Sequence, residues 1–451
     1  MPRLWFESAL LGSGWAHDVR LTVEGGAIAR VEPGVRPGAG DERHAVGLPG
    51  LPNVHSHGFQ RAMAGLTEIA GPQADDFWSW REVMYRLVER IGPDDIEAIT
   101  AFAYLEMLEA GFTRVAEFHY LHHDFDGKPY ANVAETSERI VAAAREAGIG
   151  LVLLPVLYAH ANFGGSHPLP AQRRFVNDLE RFARLLEASR RMVLGLEGAM
   201  VGIAAHSLRA VTPEELAAIE PVGAGPFHIH IAEQTKEVED CLAWSGRRPI
   251  DWLLDHAPVD ERWCLVHATH ATPEELERSA RSGAVVGLCP ITEANLGDGV
   301  FPGDLFARAG GAYGIGSDSN VLLDAAAELR ALEYSQRLTR RKRNVLSGAT
   351  SRSTGRELFE AAVRGGGRAL GCTAPLIGAG ADADLVSLDT RHASLVSRRT
   401  DALLDSWIFA ARGGVIDCVW RRGRKVVSGG VHLARDAVAA RYRRTLERVL
   451  A

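Results

Sequence analysis

Short apolar runs alternate with longer amphipathic segments between residue 46 and about residue 371. The apolar runs resemble buried parallel strands, and the segments between them have the three- and four-residue spacing of helices. Thr212 and Thr272 each precede Pro-Glu-Glu, which is typical of a helix N-terminus. The pattern predicts strands at 46–54, 113–118, 149–157, 201–205, 226–231, 264–268, 284–288 and 312–315.

A (β/α)8 (TIM) barrel has eight strands with helices between them, which is the number predicted here. We therefore predict an α/β fold of that type. At both chain ends the pattern changes to short strands separated by glycine and proline. Neither end is large enough to hold a core, and we expect the two ends to pair into one small composite β-sandwich. The predicted domains are residues 1–45 (sandwich, N-terminal part), 46–371 (barrel) and 372–451 (sandwich, C-terminal part, with a helix at 434–449).

The composition is that of a soluble globular protein, because 46% of the 451 residues are hydrophobic and 24% are charged. A net charge of −7 gives no support for a nucleic-acid partner, since such proteins carry clustered positive charge. Five cysteines without a Cys-x-x-Cys spacing favour free thiols in a reducing compartment. We see no signal-peptide pattern and no run of roughly 20 apolar residues, so we expect a cytoplasmic protein without a membrane segment.

Polar side chains follow six of the eight predicted strands. In a barrel of this type, catalytic groups lie at the C-terminal ends of the strands. His55 and His57 are two residues apart, so both side chains point to the same side of an extended strand. The polar strand ends are His55-Ser-His57, Glu117-Phe-His-Tyr120, His206-Ser-Leu-Arg209, His228-Ile-His-Ile-Ala-Glu233, His267-Ala-Thr-His270 and Gly316-Ser-Asp318-Ser319.

Imidazoles and a carboxylate at neighbouring strand ends are a suitable donor set for zinc or ferrous iron. Such a metal lowers the pKa of a bound water, so that hydroxide is available near neutral pH for attack on a planar carbon. A histidine and a glutamate beside the metal can move the protons of a hydrolysis. His228 competes with His230 as a ligand, and His270 competes with His267 as the base.

Four motifs resemble those of the amidohydrolase superfamily, in the order in which that superfamily carries them. They are Leu48-Pro-Gly-Leu-Pro-Asn-Val-His-Ser-His57, His230-Ile-Ala-Glu233, Leu265-Val-His-Ala-Thr-His270 and Gly316-Ser-Asp318. The resemblance covers essentially the whole chain and implies the metal ligands His55, His57, His230 and Asp318. His-x-x-Glu after the fifth strand is similar to the deaminases of the superfamily, which use one metal. The fourth strand lacks the lysine of two-metal members, so we expect one zinc, or one ferrous iron, per chain.

Within the deaminases, the sequence around these motifs resembles that of members that hydrolyse the formimino C=N bond of a dianionic amino acid and release ammonia. The matching stretches are residues 55–67, 77–81, 117–120, 205–211 and 228–234. This resemblance implies that Glu233 and His267 are catalytic, and it implies a homodimer. Arg81 and Arg209 suit a dianion independently, because each guanidinium can hold one carboxylate by charge-assisted hydrogen bonds. The implied substrate-binding residues are Gln60, Arg81, Tyr120, His206 and Arg209.

Two other functions stay open on the sequence alone. An aminohydrolase of nucleobases or other heterocycles would use the same metal, but it would need aromatic and amide groups in place of two arginines. A barrel that binds a metal or a ligand without catalysis would need neither Glu233 nor His267.

Overall fold

The computed structural model describes residues 2–71, 75–348, 351–372 and 376–451. The strands before the barrel are β1 (Arg3–Leu11), β2 (Gly14–Glu24), β3 (Ala27–Glu32) and β4 (Glu42–Pro49). The barrel strands are β5 (Leu51–Ser56), β6 (Phe112–His119), β7 (Gly150–Leu157), β8 (Met200–Val201), β9 (Ile203–Ser207), β10 (Phe227–Ile231), β11 (Trp263–His267), β12 (Val285–Leu288) and β13 (Ala312–Ile315). The strands after the barrel are β14 (Leu385–Leu388), β15 (Ile416–Arg421), β16 (Arg424–Ser428) and β17 (Val431–His432).

The helices occupy the segments in which the sequence has a helical period. They are α1 (Phe77–Val88), α2 (Pro93–Glu109), α3 (Glu135–Ala147), α4 (Leu179–Val193), α5 (Pro213–Ile219), α6 (Thr235–Ser245), α7 (Pro249–His256), α8 (Pro273–Ser282), α9 (Pro290–Leu296), α10 (Gly303–Arg308), α11 (Ala325–Arg340), α12 (Thr354–Ala369), α13 (Asp401–Ala410) and α14 (Arg435–Val449). Both predicted N-caps are confirmed: the Thr212 and Thr272 hydroxyls accept from the amides of Glu215 and Glu275, whose carboxylates accept from the threonine amides. Among the described residues, no helix is both long enough and apolar enough to cross a bilayer.

The barrel strands close into a ring of parallel neighbours, which confirms the predicted (β/α)8 fold. β5 pairs with β6 on one side and with β13 on the other, and β6–β7 pairing completes the ring. β8 and β9 together fill one strand position, because the chain is interrupted at Gly202. A Cβ on Gly202 would lie 2.5 Å from the Pro226 carbonyl oxygen, so only glycine fits there without movement.

The predicted first strand, residues 46–54, is wrong as a single element. Residues up to Pro49 belong to β4 of the small sheet, and the barrel strand β5 begins at Leu51. Gly50 separates the two strands, and a Cβ there would collide with the Thr113 side chain. The last four residues of β4 and all of β5 are buried, so the apolar run has no change of period to mark its passage from one sheet to the other.

The two chain ends pair with each other, as the sequence predicts. They form one eight-stranded sheet in the order β17-β16-β15-β14-β4-β1-β2-β3, in which β14 and β4 join the two ends. Phe6, Leu21, Leu385 and Trp420 belong to a small core of this sheet that is separate from the barrel core. The domain limits at residues 45/46 and 371/372 stay predictions.

Candidate metal centre and active site

One end of the barrel brings together all eleven side chains proposed for the site. Ten of them line a single cavity, and His55 is fully buried with its Nε2 2.9 Å from Nε2 of His230. The cavity lies at the C-terminal ends of the strands, where the barrel fold places catalytic groups. The ten residues are His57, Gln60, Arg81, Tyr120, His206, Arg209, His230, Glu233, His267 and Asp318.

Three imidazoles and a carboxylate point their donor atoms at one another. Nε2 of His55 lies 3.1 Å from Nε2 of His57 and 2.9 Å from Nε2 of His230. Oδ1 of Asp318 lies 3.4 Å from Nε2 of His55 and 3.3 Å from Nε2 of His57. His267 is also close, because its donor atom lies within 4.8 Å of those of His55, His230 and Asp318. Five potential ligands therefore surround one small volume.

The protonation of the imidazoles fits a divalent cation. Nδ1 of His57 lies 2.9 Å from the Phe118 carbonyl and Nδ1 of His230 lies 2.9 Å from the His206 carbonyl, so each Nδ1 carries the proton. Burial holds the pKa of both imidazoles below the ordinary value, so both are neutral at pH 7 and their Nε2 lone pairs face inward. His55 Nε2 can donate to only one of the two, so at least one lone pair requires another partner. A divalent metal ion bound at this point would satisfy it.

The first and last barrel strands fix the relative position of two proposed ligands. The His57 amide donates to the Asp318 carbonyl, and the Asp318 amide donates to the His55 carbonyl, both at 2.9 Å. The Asn320 side-chain amide donates to the carbonyls of His57 and Asp318 at 3.0 Å. Asp318 itself has a φ of +45°, a left-handed conformation that costs a non-glycine residue free energy. The hydrogen bonds hold this strained residue in place.

A histidine and two carboxylates form a second group beside the metal donors. Nε2 of His267 lies 3.8 Å from Oε1 of Glu233 and faces the cavity. Nδ1 of His267 is 3.3 Å from Oε1 of Glu293, which fixes the orientation of the ring. Burial alone would lower the pKa of His267, but the adjacent Glu233 and Glu293 carboxylates raise it. Burial raises the pKa of Glu233 above that of an ordinary carboxyl group.

Glu293 and Glu237 are buried carboxylates beside the site that the sequence did not single out, the first next to His267 and the second in a structural role. Glu237 accepts hydrogen bonds from the amides of Ala232 and Glu233, at 3.1 and 3.2 Å, and thereby holds the segment after β10. Glu237 lies on α6 and Glu293 lies on α9. Each residue therefore belongs to a helix that follows a barrel strand and not to the end of the strand itself. Their burial is the informative signal, because a buried carboxylate requires donors.

The histidines that compete with the proposed set have other partners. Nε2 of His228 lies 2.8 Å from the Ala369 carbonyl, away from the metal donors. His122 and His123, two further histidines that follow β6, contact the carbonyls of Val156 and Val176 through Nε2. His270 is not among the residues that line the cavity. These contacts favour His230 as the ligand and His267 as the base.

Two arginines enter the cavity without an acidic partner among the described residues. Nε of Arg81 and Nε of Arg209 are both buried and have no hydrogen-bond acceptor there. Trp78 holds the two groups together, because its ring lies 4.4 Å from Cζ of Arg81 and 5.8 Å from Cζ of Arg209. Gln60 donates to the Tyr120 hydroxyl at 2.8 Å and keeps a buried amide oxygen free. The cavity is therefore prepared for an anionic ligand.

A barrel with this donor set defines a metal-dependent hydrolase, and comparison with known proteins gives its family. The family model described as "Amidohydrolase family" matches residues 46–426. The chain belongs to the amidohydrolase family, as the resemblance in the sequence predicted. Residues 4–45 match a second model, described as the N-terminal domain of formimidoylglutamate deiminase HutF.

Individual relatives narrow the comparison further. The chain is 50% identical over 453 residues to formimidoylglutamate deiminase of Pseudomonas aeruginosa, with all of both chains covered. It is 28% identical to 8-oxoguanine deaminase of the same organism, over 75% of this chain and 76% of that one. Among solved structures, an amidohydrolase from Brucella melitensis is 54% identical over all of both chains, with a TM-score of 0.97.

Proposed function

We propose that this protein hydrolyses the formimino C=N bond of N-formimidoyl-L-glutamate, a step of histidine degradation, to N-formyl-L-glutamate and ammonia. The observation that carries the proposal is the pair of unpaired arginines, Arg81 and Arg209, in one cavity with a metal donor set and the Glu233–His267 pair. The relative that is 50% identical over the full chain carries the same activity in its name. Equal amounts of ammonia and N-formyl-L-glutamate formed by the purified, metal-loaded protein are the expected result. A failure to form either product would refute the proposal.

The two carboxylates of this substrate would each be held by one arginine. A guanidinium binds a carboxylate through two parallel hydrogen bonds, and burial strengthens such charge-assisted contacts. Gln60, Tyr120 and His206 line the same cavity and would complete the contacts to the polar parts of the substrate. The two guanidinium groups would thereby fix the distance from the carboxylates to the reacting carbon.

His55, His57, His230 and Asp318 would hold one zinc ion per chain, and ferrous iron accepts the same ligands. His57 rather than His267 would complete the set, because Nε2 of His57 lies 3.1 Å from Nε2 of His55, whereas Nε2 of His267 lies 3.8 Å from the Glu233 carboxylate, with which it would act. When bound, the metal supplies a Lewis acid that makes hydroxide available at neutral pH.

Glu233 and His267 would move the protons of the reaction. A new C–O bond forms to the formimino carbon, the bond from that carbon to the terminal nitrogen breaks, and this nitrogen leaves as ammonia. One of the two residues accepts the proton of the attacking water, and the other delivers a proton to the leaving nitrogen. Glu233 also offers a negative charge to the amidinium group of the substrate. We further propose a cytoplasmic homodimer, and light scattering after size-exclusion chromatography tests the dimer.

Arg209→Gln is expected to raise KM for N-formimidoyl-L-glutamate by about 10- to 100-fold, because one charge-assisted carboxylate contact is worth about 1.5–3 kcal/mol. We expect a smaller effect on kcat, since the arginine would bind a carboxylate of the substrate and would move no proton. Steady-state ammonia release measures both parameters. Arg184→Gln on the exposed face of α4 is the matched control and should leave both unchanged. An unchanged KM in Arg209→Gln would remove this residue from the binding site.

Glu293→Gln is expected to lower kcat by about 10- to 100-fold, the range typical when a hydrogen-bond partner that orients a functional histidine is lost. The carboxylate accepts from Nδ1 of His267 and so presents Nε2 to the substrate. KM and the melting temperature should stay near those of the native chain, and Glu293→Asp should restore part of kcat. A loss that appears only as a lower melting temperature would instead mean a purely structural role.

A further inference from the structure

A crevice at the opposite end of the barrel is rich in arginine. It lies between the β15–β16 hairpin of the small sheet and the segments that lead into β7 and β8, so it is at the N-terminal ends of the barrel strands. Its volume is about 210 Å³, enough for several waters or one small ion. Four arginines and one glutamate line it: Arg145, Arg421, Arg422, Arg424 and Glu197.

Only one of the four arginines has its charge fully compensated. Arg422 forms ion pairs with both Glu197 and Asp382. The side chains of Arg145 and Arg424 are exposed and form no hydrogen bond or ion pair with the described residues. Glu197, the only acidic group among the described residues that line the crevice, is therefore already engaged, and an excess of positive charge remains.

The buried side chain of Arg421 is a second feature of the crevice, independent of the excess positive charge. Its side chain is 5% exposed, and Nη1 donates to Asp384 at 2.9 Å. Nε and Nη2 are buried and have no acceptor among the described residues. A buried guanidinium with unused donors is costly, because each lost hydrogen bond to water is left unreplaced. Asp384 does not compensate it alone, since the same carboxylate also binds Arg114.

Glycines make room for these guanidinium groups. A Cβ on Gly148 would lie 2.6 Å from Nη2 of Arg424, and a Cβ on Gly198 would lie 2.9 Å from Nη2 of Arg421. Both glycines have a positive φ, +75° and +70°, which other residues rarely adopt. The backbone therefore allows the arginines to approach the crevice from two sides.

We infer that this crevice is a second anion site, formed by Arg145, Arg421 and Arg424, for a small dianion that bears a phosphate group or two carboxylates. Water would satisfy the donors of Arg421 but would leave three positive charges close together. A dianion satisfies the donors and the charge at once, and guanidinium groups match the oxygens of phosphate and carboxylate equally well. The site lies at the other end of the barrel from the catalytic cavity, so its ligand is not the substrate in transit.

Calorimetric titration at constant ionic strength, with inorganic phosphate in one arm and glutarate in the other, tests the inference. Arg81→Gln/Arg209→Gln is the background, because it removes the arginines of the catalytic cavity. We expect saturable binding of at least one probe in this background. Adding Arg145→Gln and Arg424→Gln should weaken it by about tenfold or more, since each substitution removes a charged donor. The probe that binds more tightly shows whether the site prefers a phosphate group or two carboxylates.

Two results would overturn the inference. One is the absence of saturable binding of either probe to the Arg81→Gln/Arg209→Gln protein. The other is equal affinity with and without Arg145→Gln and Arg424→Gln. Both added changes are at exposed side chains, so circular dichroism and the melting temperature without anion should match the background protein.

Discussion

Replacing Glu233 by glutamine is expected to slow ammonia release by about 10²- to 10⁴-fold, the range supplied by general acid–base groups. The amide is nearly the same size as the carboxyl group but can neither accept nor deliver a proton. Glu233 lies 3.8 Å from Nε2 of His267 and lines the cavity with the metal donors, so its loss affects the chemical step itself. Steady-state ammonia release from N-formimidoyl-L-glutamate gives the rate.

The matched control for Glu233→Gln is Glu237→Gln. Glu237 lies in the same segment and, within the part of the chain that the structure describes, accepts only from backbone amides, so its replacement should affect the melting temperature more than kcat. Metal content should equal that of the native chain in Glu233→Gln, because the side chain is not a proposed ligand. Native-like turnover by Glu233→Gln would show that this residue moves no proton in the rate-limiting step.

Replacing Asp318 by asparagine is expected to weaken metal binding by more than roughly 10- to 100-fold, which is the loss typical when only the hydrogen-bond partner of a ligand is removed. Asp318 supplies the negative charge of the proposed ligand set, and its Oδ1 lies within 3.4 Å of the donor nitrogens of His55 and His57. Ammonia release should fall in parallel with metal content. Elemental analysis of the purified protein, before and after reloading with zinc, measures the loss.

Asp298→Asn is the control for Asp318→Asn. Burial, together with the nearby Glu233, raises the pKa of Asp298 to about 9, so its side chain is protonated at pH 7 and asparagine is a close substitute. Metal content should be unchanged in this variant. Full zinc content in Asp318→Asn would contradict the proposed ligand set and would favour His267, which lies close to the same donors, as a ligand.

Alternation of apolar strands with amphipathic helices was sufficient to predict the barrel, because each strand is buried on both faces and each helix on one. The same burial explains the error at residues 46–54. β4 and β5 are consecutive and both buried, and only the packing of Gly50 against Thr113 separates them. A contact between residues 63 positions apart leaves no local pattern in the sequence.

The residues of the proposed site likewise fall into two groups, those that the sequence could locate and those that it could not. Residues at strand ends, such as His55 and Asp318, could be located from the sequence because the barrel brings those ends together. Glu293 could not, since its role depends on the burial of a helix residue against His267. The arginine crevice is even harder to predict from the sequence, because Arg145 and Arg421 are distant in sequence and come together only where the small sheet packs on the barrel.

Ammonia release by the metal-loaded protein from N-formimidoyl-L-glutamate, measured beside adenosine and 8-oxoguanine, tests the central claim most directly. The two heterocycles carry no carboxylates and cannot use Arg81 and Arg209 as a dianion would. We expect rapid release from N-formimidoyl-L-glutamate with N-formyl-L-glutamate in equal amount, and a kcat/KM about 10²- to 10⁴-fold lower for either heterocycle, as two lost charged contacts imply. A preference for a heterocycle, or no ammonia from N-formimidoyl-L-glutamate, would contradict the account.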